Sequence, residues 1–172
     1  PEIKANIDLA AAALEAKMSV GSQTVVSASS SSIANFEVEW FNRGLSLYAE
    51  KKFKEALNCF DKALTSFAND NKMASKGLRA RGSALYMLQD YPAAIESFMA
   101  SIKANPAEVD GKTLYNMGMA YAELERFGDA IKSLEQAIPR GLVGDDAARA
   151  QENIRRFQLL AKHKAARMGK SS

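Results

Sequence analysis

One glycine, repeated three times in the same surroundings, limits what this 172-residue chain can become. The stretches are WFNRGLSLYAEKKFKEALNCFDKAL from Trp40, LRARGSALYMLQDYPAAIESFMASI from Leu78 and LYNMGMAYAELERFGDAIKSLEQAI from Leu114. A large apolar residue stands four before each of Gly44, Gly82 and Gly118 (Trp40, Leu78, Leu114), and another stands three after (Leu47, Leu85, Tyr121). An aromatic follows nine after the glycine (Phe53, Tyr91, Phe127) and an alanine twelve after (Ala56, Ala94, Ala130). A bulky residue comes four beyond that alanine (Phe60, Phe98, Leu134). Steps of three and four put large side chains on one face of a helix. Glycine inside a helix costs about 1 kcal/mol relative to alanine. Its return in register therefore implies close packing where a Cβ would stand. Each unit reads as two antiparallel helices joined by a short turn. Asp90 is placed to cap the second helix of the middle unit, with Pro92 tolerated in its first turn.

This pattern resembles the tetratricopeptide repeat, a unit of about 34 residues with the signature W-x2-L-G-x2-Y…A-x3-F…P. The resemblance covers residues 37–144 as three repeats, 37–70, 75–108 and 111–144. Arg43, Arg81 and Met117 replace the leucine before the glycine, and only the middle unit has the closing proline, Pro106, at the expected place. Glycine spacings of 38 and 36 leave four and two extra residues, expected in the loops FANDNKMAS and NPAEVDG. The resemblance implies an all-α, right-handed solenoid of antiparallel helix pairs.

A stacked array needs a last helix with a polar outer face. Residues 145–168 suit that role: Ala147, Ile154, Phe157, Leu160 and Ala161 make an apolar stripe, while Arg155, Arg156, Lys162 and Lys164 cover much of the rest. Asp145 and Asp146 at its start and cations toward its end agree with the helix dipole. Residues 169–172 form a short tail. At the other end, Ile3, Ile7, Ala10, Leu14 and Met18 predict a further amphipathic helix over residues 1–18. The serine-rich, aperiodic residues 19–35 predict a flexible linker. That linker lets the first helix fold back on the repeats, regulate access to them, join two copies of the chain, or extend the stack.

In this family the first helix of each unit lines a concave groove that binds peptides. Carried over by position, the lining is Val38, Phe41, Leu45, Tyr48 and Ala49 from the first unit. The second gives Lys76, Arg79, Ser83, Tyr86 and Met87, and the third gives Lys112, Tyr115, Met119, Ala122 and Glu123, with Asn116 nearby. The apolar end and the three cations suit an acidic peptide with a hydrophobic anchor. Some members clamp the terminal carboxylate of heat-shock chaperones. The corresponding positions here are Phe41, Leu45, Ala80, Lys112 and Asn116, of which only Lys112 matches. Shifted by one unit, Arg79, Ser83 and Asn116 make a partial imitation. The implied function is a protein–protein interaction adaptor or co-chaperone-like scaffold.

Charge supplies the competing reading. Residues 149–172 hold seven Lys/Arg against the single Glu152, a net +6, although the whole chain is only +3. Such a basic C-terminus could dock on RNA or an anionic membrane, with the repeats as scaffold. Against RNA, the late cations are not interleaved with aromatics, and no base-reading motif is present.

Catalysis, metal and cofactor chemistry find little support. Gly111-Lys112-Thr113 matches the end of a phosphate-binding loop. The first glycine of that loop would fall on Pro106, which has no N–H, and Glu108 and Asp110 would face the anion. Gly111 instead starts the first helix of the third repeat. One cysteine (Cys59) and one histidine (His163) exclude a disulfide framework and argue against a zinc site. Cys59 reads as a small core residue and His163 as a surface residue. Nothing assembles nucleophile, base and orienting group, so neither an enzyme nor a cofactor is expected. The lone thiol fits a reducing compartment, and no run of apolar residues is long enough to span a bilayer, so a cytoplasmic protein is expected.

Overall fold

A computed structural model describes residues 31–169 of the chain. The expected helix over residues 1–18, most of the linker and residues 170–172 lie outside this range. Seven α-helices and three short 3-10 turns make up the described residues, and none of these is in a strand. The molecule divides into two compact units at Asn105 and Pro106.

The first unit holds α1 (Ser31–Ala49), α2 (Phe53–Leu64), α3 (Asn71–Met87) and α4 (Tyr91–Ala104). The second holds α5 (Gly111–Glu123), α6 (Phe127–Ala137) and the long α7 (Gly144–Met168). The three expected helix pairs are thus α1–α2, α3–α4 and α5–α6, with α7 packed on α6.

Each pair is closed by the same turn. Lys51, Gln89 and Glu125 take positive φ of 61°, 64° and 53°. In each, the next residue's N–H reaches back five: Lys52 to the Leu47 carbonyl, Asp90 to Leu85, Arg126 to Tyr121, at 2.9–3.0 Å. The positive-φ residue itself donates to Tyr48, Tyr86 or Ala122, each at 2.9 Å. This is a Schellman ending, which satisfies the last carbonyls of the first helix and reverses the chain.

The recurring glycines have the packing reason their spacing implies. A Cβ on Gly44 would lie 2.5 Å from Cε1 of Phe60, and one on Gly82 would lie 2.7 Å from Cε1 of Phe98. On Gly118 it would meet the Ala130 carbonyl at 3.1 Å and Leu134 at 3.2 Å. The repeated alanines, Ala56, Ala94 and Ala130, are fully buried for the matching reason.

Helix starts follow side-chain caps. The Asp70 carboxylate accepts from the N–H groups of Lys72 and Met73, Asp90 from Ala93 and Asp110 from Thr113. The Asp70 cap alters one expectation. The stretch FANDNKMAS is not simply a loop: residues 67–69 form a 3-10 turn, and α3 begins at Asn71. Four added residues make about one further helical turn, so the packed face keeps its phase. Met73 and Ala74 in that turn pack on the core of the first unit. Likewise α1 begins at Ser31, inside the stretch expected as linker.

Arg81, at a position where the repeat signature has leucine, ties elements of the first unit together. Its Nε donates to Asp61 at 2.7 Å and a terminal N–H donates to Ser97 at 2.6 Å, linking α2, α3 and α4. Ser75 and Ser101 add a reciprocal pair, each hydroxyl donating to the other residue's carbonyl, at 2.9 and 2.7 Å. In the second unit Leu114, Ala130, Leu134 and Phe157 are buried, and the Phe157 ring stacks on Phe127 at 6.0 Å.

Candidate functional site

Of the α1 residues carried over to the groove, Val38 is half-buried and Ala49 exposed, while three go inward. Phe41, Leu45 and Tyr48 are 8%, 1% and 0% exposed. They belong to one cluster with Ala56, Phe60, Ala63, Phe67, Ala80 and Ala84. Phe41 lies 5.9 Å from the Phe60 ring and 6.3 Å from Phe67, and Tyr48 meets Phe53 edge-on at 5.2 Å. Burial pushes the Tyr48 hydroxyl up to a pKa of about 12. Its oxygen has no hydrogen-bond partner among the described residues. In this conformation these three support a surface rather than form one.

On α3 the face is mixed. Lys76 is exposed and Arg79, Tyr86 and Met87 are half-buried, at helical spacings that keep them on one side. Tyr86 is braced edge-on by Tyr91 at 5.4 Å. Ser83 is buried and its hydroxyl donates to the Arg79 carbonyl at 3.1 Å. That hydroxyl is engaged within its own helix and leaves little of the shifted carboxylate clamp.

On α5, Lys112, Tyr115, Asn116 and Met119 are all half-buried. The capping helix completes this face with a residue the sequence pattern missed. The Asn153 amide of α7 donates to the Tyr115 hydroxyl at 3.2 Å and lies 3.5 Å from the Met119 sulfur. Burial raises the pKa of Tyr115, Arg149 pulls it down, Asp146 pushes it up, and the Asn153 bond lowers it. Asn153 carries no signal in the repeat signature. Its place on the apolar side of α7, one residue before Ile154, was the available clue.

The remaining candidates stay apart from these faces. Cys59 is a buried free thiol, pushed up by burial against the pull of Arg43 and Lys62. His163 is exposed on α7. Among the described residues no three His, Cys, Asp or Glu side chains gather as a metal site, and no helix is long and apolar enough to cross a membrane.

Sequence models of the tetratricopeptide repeat match residues 38–67 and 111–138. Both stretches are thus tetratricopeptide repeats. The middle repeat, which neither match covers, has the same helix pair and the same turn. Among solved structures, the first tetratricopeptide domain of Spaghetti (RPAP3), bound to an HSP90 peptide of sequence SRMEEVD, superposes with a TM-score of 0.63. It is 20% identical over 74% of this chain and 94% of its own. The first such domain of human RPAP3 gives 0.64, with 18% identity over 76% of this chain and 96% of that one. MamA of Desulfovibrio magneticus RS-1 gives 0.55, with 23% identity over 74% and 76%. At these identities the likeness is one of fold. No curated protein matches the chain in sequence.

Proposed function

We propose that this protein with tetratricopeptide repeats is an interaction adaptor, of co-chaperone-like type, in which a repeat face, that of α3 in the first unit or that of α5 in the second, binds an extended acidic segment of a partner protein. The observation that carries this reading is the composition of those faces. On α3 Lys76 and Arg79 share a side with the half-buried Tyr86 and Met87, and on α5 Lys112 lies on the same helix as the half-buried Tyr115 and Met119; each combination receives carboxylates and an aliphatic anchor. A structural relative carries the peptide SRMEEVD, which contains three acidic side chains and two apolar ones. Asn153 joins Asn116 and Tyr115 as a polar contact, whereas Phe41, Leu45, Tyr48 and Ser83 act from beneath. The free thiol of Cys59 fits work in the reducing cytoplasm.

Calorimetric titration of the full chain with SRMEEVD and with its charge-neutral Gln/Asn counterpart tests this reading. The acidic peptide should bind and the neutral one should bind more weakly. Truncating a cation that meets a desolvated carboxylate costs roughly 2–5 kcal/mol, against about 0.2–1 for an exposed pair. Lys76→Ala, Arg79→Ala and Lys112→Ala should therefore fall in the first range for at least one position. Equal binding of both peptides would dismiss the acidic preference.

The outward face of α7 favours a second reading. Arg155, Arg156, Lys162 and Arg167 are all exposed there, with Leu159 among them. An RNA or anionic bilayer held by this helix would leave the α3 and α5 substitutions without effect.

A further inference from the structure

We infer that residues 1–18 dock as a helix on the outer face of α1, in the place that α2 takes against α3. The two helix pairs of the first unit repeat with an offset of 38, from Gly44 to Gly82. α3 receives α2 at Gly77, where a Cβ would lie 2.8 Å from Leu64, and at Arg81, whose Nε donates to Asp61. Ala74 and Leu78 flank these on α3. The same positions on α1 are Phe36, Glu39, Trp40 and Arg43.

That face of α1 is built to be covered. Phe36 is 58% exposed and meets Trp40 edge-on at 5.8 Å. Where Arg81 reaches an aspartate, Arg43 lies over the Trp40 ring at 5.5 Å, with Lys62 at 4.2 Å. Two aromatics and two cations thus form one patch at the end of a repeat stack, where a covering element is required.

The occupant is this chain's own beginning, by pattern and by charge. Aligned on α2 and the 3-10 turn that follows it, the residues Ala56, Phe60, Ala63 and Phe67 correspond to Ile3, Ile7, Ala10 and Leu14, at an offset of 53. In the same register Asp61, which receives Arg81, corresponds to Asp8, which would receive Arg43. Sizes are complementary too. α3 offers Gly77 to Leu64 of α2, while α1 offers Phe36 and Trp40 to a segment that holds Ala10, Ala11, Ala12 and Ala13. The twelve residues 19–30 would span roughly 20 Å as a random coil, enough to lead from the end of such a helix to Ser31.

Trp40 is the sole tryptophan, so its fluorescence reports this contact in the intact 172-residue chain. Ile7→Asp and Asp8→Lys change nothing in α1. They should nonetheless shift Trp40 emission to the red and remove its protection from acrylamide, with helical circular dichroism of the repeats retained. In urea unfolding, Asp8→Lys and Arg43→Asp should each lower the midpoint, and their combination should recover much of the loss. The chain should be monomeric by light scattering. Unchanged Trp40 quenching in both variants, or strictly additive losses in the double variant, would overturn the docking. A wild-type dimer that Ile7→Asp dissociates would overturn it in favour of exchange between two copies.

Discussion

Tyr48 shows how one side chain can be well packed and poorly satisfied. Its ring fills the core of the first unit, but its hydroxyl is buried without a partner among the described residues. A buried unpaired polar group costs about 1–3 kcal/mol, so Tyr48→Phe should stabilise the chain by about 1 kcal/mol near neutral pH. Alkali gives an independent check. The folded pKa, pushed up to about 12, lies above the ordinary value of 10, so this tyrosine's contribution is intact below pH 10 and lost as pH rises toward 12. Two units correspond to roughly 2–3 kcal/mol. Urea midpoints should therefore fall less steeply for Tyr48→Phe than for wild type across that window, so that the gap between them widens; parallel curves would remove desolvation as the cause. The glycines supply a second residue-scale contrast. Gly82→Ala should gain about 1 kcal/mol in helix propensity but lose more against the Phe98 ring, since overpacking costs typically 1–3 kcal/mol. Gly128→Ala, with nothing within 4 Å of the new methyl group, should only gain. Thermal midpoints moving in the same direction for both would contradict the packing explanation.

At the scale of elements, the shared turn between paired helices uses non-glycine residues in the left-handed region three times. That conformation costs an L-residue roughly 1–2 kcal/mol, partly offset because glycine has more freedom to lose on folding. Lys51→Gly and Gln89→Gly should each stabilise by about 0.5–1 kcal/mol. Glu125→Gly should gain less, because it also gives up the exposed pair with Lys164 at 3.2 Å. Differential scanning calorimetry should rank the three in that order; a gain at Glu125 exceeding the other two would be inconsistent with it. These turns were legible in the sequence as places where periodicity breaks, but their handedness was not, since Lys, Gln and Glu carry no turn signal. The helix pairs themselves were legible because glycine, alanine and aromatic recur at fixed offsets. Depth was harder to read. Phe41 and Leu45 occupy positions that face a groove in the family pattern. A groove position filled by a large apolar side chain instead turns to Phe60 and Phe67. Asn153 escaped notice for the opposite reason: it belongs to the capping helix, which no repeat signature describes. The ionic tie of Arg81 was visible only as a departure from leucine, without its partners Asp61 and Ser97.

For the molecule as a whole, charge separates the two ways it could engage a partner. The last 24 residues carry +6 while the whole chain carries only +3, so the preceding part is acidic on balance. Binding through a repeat face, that of α3 or that of α5, would involve a few cations set among apolar side chains such as Met87 or Met119. Binding through α7 would involve Arg155, Arg156, Lys162 and Arg167, all exposed and mostly surrounded by polar residues. Counterion release makes these respond differently to salt. Contacts with 6–10 phosphates lose about 10³–10⁵ in affinity between roughly 50 and 200 mM salt, whereas a peptide held by two or three charges and an apolar anchor should lose on the order of ten-fold. We therefore expect the affinity for an acidic peptide to fall about ten-fold over that range. Replacing Arg155, Arg156 and Lys162 by glutamine should leave both the affinity and its salt dependence nearly unchanged, because these groups act at long range only and are screened within about 8–10 Å. If the same replacement abolishes binding and flattens the salt dependence, the partner is held by the capping helix. The repeats would then be its scaffold rather than its receptor.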